Sequence, residues 1–135
     1  MPQALKKPDL PPDPKQEILD KLGELESVEI ARNEVLIAIY RRPNTSPGGI
    51  AFTDNTLKED IYQGKVGLVV KIGPGCQFQA LDIKLHDWVV FRPSDTWAFD
   101  LSTHANALTR TDFVTCRLVF DDQIRLRIAN PQMAW

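Results

Sequence analysis

The stretch Gln63-Gly-Lys-Val-Gly-Leu-Val-Val-Lys-Ile-Gly-Pro-Gly75 follows, after a polar run, the segment Ser46-Pro-Gly-Gly-Ile-Ala-Phe-Thr53. The first of these is an apolar, β-branched run closed by a Gly-Pro-Gly turn, the pattern of a buried strand. The second carries Gly48, Gly49, Ile50, Ala51 and Phe52 on an otherwise polar segment. Together they predict two hydrophobic strands joined by a long, glycine-hinged loop over residues 43–63. A chain normally hides an Ile and a Phe in its core, so their presentation on a loop points to a docking tip. An ordinary hairpin loop with Ile50 folded inward is the competing reading.

Working outward, Val35-Leu-Ile-Ala-Ile-Tyr40 precedes the loop as a second apolar run, bounded by Asn33 and by Arg41-Arg42-Pro43. Residues 82–91 read as a third strand, with Ile83 to Leu85 leading into Trp88-Val-Val-Phe91. Residues 100–111 are polar and loop-like. Residues 113–120 and 124–128 read as a closing pair, joined across Asp121-Asp122-Gln123 as a tight hairpin. Five or six short strands with frequent turns predict an all-β domain, a small β-barrel. Trp88 is expected in its core.

The N-terminal region differs in character. Residues 1–13 hold four of the ten prolines, including Pro11 and Pro12, and read as an extended arm unable to fold alone. Asp13-Pro-Lys-Gln is a helix start, with Asp13 as N-cap and Pro14 in the first position. Ile18, Leu19, Leu22 and Leu25 then share one face at helical spacing. This short amphipathic helix, within residues 14–29, is expected to lie on its own domain or on a neighbouring subunit, which makes Ile18 and Leu22 interface candidates. Residues 129–135 form a tail whose Met133 and Trp135 have few ways to be covered within one subunit. Trp97, in a Pro-Ser-Asp-Thr turn, is a further interface candidate.

Composition narrows the chemistry. The 135 residues are 43% hydrophobic, enough for one modest core, and carry a net charge of −2, so no global field favours nucleic acid. No run of 18 apolar residues predicts a membrane helix, and the first residues lack the apolar segment of a secretory signal. Cys76 and Cys116 lack metal-ligand spacing and read as buried thiols. Asp121-Asp122 reads as a turn before it reads as a metal site. His86 and His104 are isolated, and no nucleophile, phosphate-loop or dinucleotide motif is present. The reading is a binding protein without catalysis, metal or cofactor.

With these residues in order, the chain resembles the GroES family of co-chaperonins over residues 30–128. The resemblance is carried by the opening strand 33–40, the Gly48-Gly49-Ile50 tip and the Gly64-Lys65-Val66 return strand. Leu85-His-Asp-Trp-Val-Val-Phe91 and Cys116-Arg-Leu-Val-Phe-Asp-Asp-Gln-Ile124 complete it. It implies a β-barrel that assembles with its own copies, and a loop whose Ile50, Ala51 and Phe52 dock on a chaperonin rim. The style of residues 63–70 and 92–97 is similar to GroES-like proteins of tailed phages. That likeness implies a virion structural protein, a capsid decoration or cement protein made in the host cytoplasm. It would grip capsid or other virion proteins through arm, loop and tail. The alternative it leaves is a phage-encoded co-chaperonin that caps a host chaperonin and assists capsid protein folding.

Overall fold

In the computed structural model the described residues are 13–40, 65–78, 81–109 and 112–134. They form one helix, α1 (Pro14–Leu22), and six strands: β1 (Glu34–Ile39), β2 (Val66–Ile72), β3 (Trp88–Phe91), β4 (Trp97–Leu101), β5 (Val114–Phe120) and β6 (Ile124–Ile128). The strands make a single antiparallel sheet in the order β4-β5-β1-β2-β3-β6. The fold is therefore mostly β, with one helix. The closed barrel expected from the strand count is not formed: among the described residues no pairing joins β6 back to β4 or β5.

The sheet is nevertheless strongly rolled, and the connection from β5 to β6 shows why. Phe120 lies opposite Glu34 at one end of the sheet, and Ile124 opposite Phe91 at the other end, three strands further on. On a flat sheet, four strand spacings of about 4.8 Å and roughly seven residue rows of about 3.4 Å would separate them by about 30 Å. Four Cα–Cα steps reach about 14 Å at most. Only a rolled, staggered sheet reconciles the two, the geometry that also precedes barrel closure. The link itself is a 3-10 turn over Asp121–Gln123. Residues 113–128 are thus not the hairpin that the sequence suggests, because β6 leaves β5 and pairs with β3. Asp121 fixes this turn: its carboxylate accepts hydrogen bonds from the Gln77 backbone at 2.7 Å and from Asn33 Nδ2 at 3.1 Å.

Strands β1 and β2 read as continuous apolar runs because both faces are covered. On one face Leu36, Ala38, Tyr40, Leu68, Val70, Trp88, Val114 and Cys116 gather beneath Leu22 of α1. Trp88 meets Tyr40 edge-on, with ring centroids 5.7 Å apart. On the other face Val35, Ile37, Val69, Val89, Phe91 and Val119 pack with Ile83, and Cys76, Phe78 and Leu81 lie against them. The register shift between Leu36 and Ile37 places Lys71 opposite Leu36, and its ammonium donates to the Leu25 carbonyl of the segment that follows α1. Gly67 is where two packed elements approach closely. A Cβ there would stand 2.9 Å from the Ala38 carbonyl oxygen and press on Ile37.

Helix α1 begins as the sequence predicts, with the Asp13 side chain accepting from Lys15 N at 3.1 Å and Pro14 in the first turn. It ends earlier: Gly23 adopts φ 78 as the C-cap, so Leu25 reaches the core from the following segment. The helix's last carbonyls are satisfied from the far end of β4. Thr103 N and Oγ1 both donate to the Leu22 carbonyl, and His104 Nε2 lies 2.7 Å from the Asp20 carbonyl. Two strand boundaries also differ from expectation. The third strand is confined to β3, because Lys84 N donates to Asp87 Oδ2 in a turn where His86 takes φ 71. Residues 97–101, expected partly in a turn and partly in a loop, form β4.

Candidate functional site

Among the described residues the two edges of the sheet are β4 and β6, and both carry large apolar side chains in solvent. On β4, Trp97 is 68% exposed. It leans on Phe99 with ring centroids 5.2 Å apart and an interplanar angle of 37°. In the pleat Trp97 pairs with Leu118, Phe99 with Cys116 and Leu101 with Val114, so the aromatic pair lies on the face that α1 covers elsewhere. On β6, Leu126 is 49% exposed between Arg125 and Arg127, which are also exposed.

Trp97 owes its position to a residue that the sequence gives no reason to select. Arg117, buried on β5 opposite Ala98, directs Nη1 to the Pro93 carbonyl at 3.1 Å and to Thr96 Oγ1 at 2.8 Å. These bonds hold the 3-10 turn Pro93–Asp95, which delivers the chain into β4 at Trp97. Burial lowers the guanidinium's pKa, as desolvation does for any cation. The signal that would have found β4 is the alternation Trp97-Ala-Phe99-Asp-Leu101; interleaved Ser, Asp and Thr obscure it.

The remaining sequence candidates separate clearly. Met133 is 62% exposed in the 3-10 turn Pro131–Met133. Ile18 is half-buried against the core, whereas Leu22 is fully buried within it, so Leu22 offers no surface to a neighbour. Pro11, Pro12, Gly48, Gly49, Ile50, Ala51, Phe52 and Trp135 lie outside the described residues.

A groove of about 1010 Å³ runs beside the Asp121 turn, lined by Phe78, Leu81, Leu126, Arg32 and Arg125 among others. The Gln77 backbone bond, followed by Asn33, lowers the Asp121 pKa, so the carboxylate at the groove is a tethered anion. The thiols are not activated. Burial pushes Cys116 up to about 12, and burial followed by the Asp121 charge raises Cys76. Among the described residues no cluster of three or more His, Cys, Asp or Glu gathers to hold a metal, and no helix is long and apolar enough to cross a membrane.

The fold and its surface define a class: a mostly β chain with a rolled, open sheet whose edge strands expose aromatic and aliphatic side chains. No family model matches this chain, and no curated protein matches it.

Proposed function

We propose that this is a non-enzymatic assembly protein of GroES-like architecture, acting as a structural component of a phage particle in the manner of a decoration or cement protein. The observation that carries the binding part of this reading is Trp97. It is a large aromatic side chain, exposed and tilted against Phe99, on a strand whose outer edge has no partner strand among the described residues. Aromatic groups of this kind supply most of the energy of protein interfaces, and unpaired strand edges are templates for association. The sheet's roll and stagger support the architectural part, together with the order of motifs from residue 30 to 128. The phage and virion assignment rests on the resemblance of the sequence.

In this reading the domain sits on a shell lattice, and the Pro-rich arm, the 43–63 loop and the tail grip adjacent subunits. Repeated weak contacts on a lattice add through effective concentration. The co-chaperonin reading keeps the same fold and places the Gly48–Phe52 tip on a chaperonin rim. The test is a parallel capture experiment in which full-length chain is mixed with shells of capsid protein and, separately, with a chaperonin. A particle protein co-sediments with shells and loses occupancy both when residues 1–13 are deleted and in an Ile50→Ser, Phe52→Ser variant. Chaperonin binding that the loop variant abolishes, with no attachment to shells, would overturn the proposal in favour of the cap.

A further inference from the structure

We infer that the Trp97–Phe99 ledge on β4 is the seat of a proline-rich segment, Pro8-Asp-Leu-Pro-Pro12, from the arm of a second copy of this chain. The inference deepens the assembly reading, on which it rests, by naming the surface that one copy's arm grips on the next. The seat is built within the single chain. Trp97 is exposed and tilted against Phe99, and Phe99 packs against the core beneath α1, so the inner ring anchors the outer one. Arg117 holds the turn before Trp97 through the Pro93 carbonyl and Thr96 Oγ1, which fixes where the indole is presented. An aromatic shelf that is rigid beforehand loses little freedom when it is covered.

The arm has the chemistry that such a shelf selects. Pro8 and Pro11 stand three residues apart, as do Pro11 and Pro14, the repeat of a polyproline helix. Segments of this kind dock on aromatic surfaces at small entropic cost, because their prolines fix the backbone in advance. Three of the five residues 8–12 are proline and lack a backbone N–H, so this segment cannot ladder along β4 as an added strand. It offers proline rings and Leu10 instead, and these match an indole and a phenyl ring.

The junction with α1 decides between the chain's own ledge and a neighbour's. Asp13 has an extended backbone, φ −62 and ψ 115, with Pro14 directly after it at the helix start. Leu10, Pro11 and Asp13 each precede a proline, which disfavours the helical region, and Pro12 has its own φ locked. Residues 10–13 therefore leave the helix as a stiff rod of about 12 Å, and a reversal onto the same domain is opposed where it would have to begin. Residues 1–12 together span about 37 Å at 3.1 Å per residue, enough to reach an adjacent domain.

The experiment is sedimentation velocity on the full chain over a concentration series, with three variants: deletion of residues 1–12, Pro8→Ser with Pro11→Ser, and Trp97→Ser. Each should weaken self-association by about tenfold or more, the loss expected for an interface anchor. The deletion variant keeps its ledge and the Trp97→Ser variant keeps its arm, so their equimolar mixture should form one-to-one pairs and nothing larger. Circular dichroism separates lost folding from lost contact, and the two arm variants carry the test if Trp97→Ser misfolds. Iodide quenching, taken as the difference from a Trp97→Phe variant, locates the contact. Trp97 should be quenched equally in wild type and deletion variant at the lowest concentration, and become protected only in wild type as concentration rises. Protection that persists at every dilution puts the arm on its own ledge and overturns the inference. So does wild-type chain that stays monomeric, an arm variant that assembles normally, or folded variants whose mixture does not pair. Monomeric chain that still attaches to shells sinks this contact and leaves the assembly reading standing; monomeric chain that attaches to nothing sinks both.

Discussion

Strands β1 and β4 flank the same neighbour, β5, yet they live in different environments. β1 is buried along five of its six residues, with covered surface on both sides. β4 has no buried residue and turns Trp97 into solvent. The centre of this sheet is where buried apolar surface is concentrated, and its margin is where apolar surface is left exposed. Substitutions that respect that division should change one property and spare the other.

The largest effect belongs to the centre. Leu36→Ala removes a fully buried side chain beneath α1 and should cost about 2–5 kcal/mol of stability, read as a lower denaturation midpoint at unchanged slope. Gly67→Ala forces a methyl group against Ile37 and the Ala38 carbonyl and should cost roughly 1–3 kcal/mol by overpacking. A neutral result there would mean that β1 and β2 are less tightly apposed than described.

The Asp121 turn lies between centre and margin, and its effect is smaller. Asp121→Asn keeps the shape but removes the charge that accepts from Gln77 and Asn33, and should cost about 1 kcal/mol or less at neutral pH, since the site is open to solvent and screened. The pH dependence has a definite sign. The folded carboxylate has a lowered pKa, so its contribution is complete above the unfolded value of about 3.9 and is lost as pH falls through the folded value. The gap in melting temperature between wild type and variant should therefore narrow as pH falls from neutral into the acid range below the unfolded value. A gap that widens on acidification would show that another group controls the turn. Smallest of all on stability is Trp97→Ser, expected within about 0.5 kcal/mol because the indole is mostly exposed. The same change should reduce association measurably, and unaltered association would break the contrast between centre and margin.

How much can be read from the chain follows the same division. β1, β2 and β5 are legible because strands covered on both faces demand uninterrupted apolar runs. Asp13-Pro14 announces α1 unambiguously, but Gly23 looks like a weak helix interior when it is the cap, since φ is invisible in the sequence. The tight hairpin expected across Asp121-Asp122-Gln123 fails because neighbouring strands usually pair, and only the distant Asn33 and Gln77 reveal the turn's true role. Barrel closure is overestimated for a related reason: strand number is local information, whereas stagger between β5 and β6 is not. Trp97 is identifiable as a surface aromatic from its turn-rich setting, but the strand that presents it depends on Arg117, whose bonds to Pro93 and Thr96 reach back across β4. Leu22 is misplaced by the sequence pattern because helical spacing shows which face is apolar and not what covers it.

The contrast between Trp88 and Trp97 has a practical consequence. One indole sits in the packed interior against Tyr40 and the other faces water beside Phe99. Their emission should differ in wavelength and in sensitivity to a soluble quencher such as iodide. A Trp97→Phe variant would remove that indole's signal, and the difference spectrum would isolate it from the emission of Trp88 and Trp135. Unfolding should then appear as a red shift of the interior indole, and engagement of the sheet margin as a blue shift of the surface one, so that one cuvette distinguishes the two events without any added label.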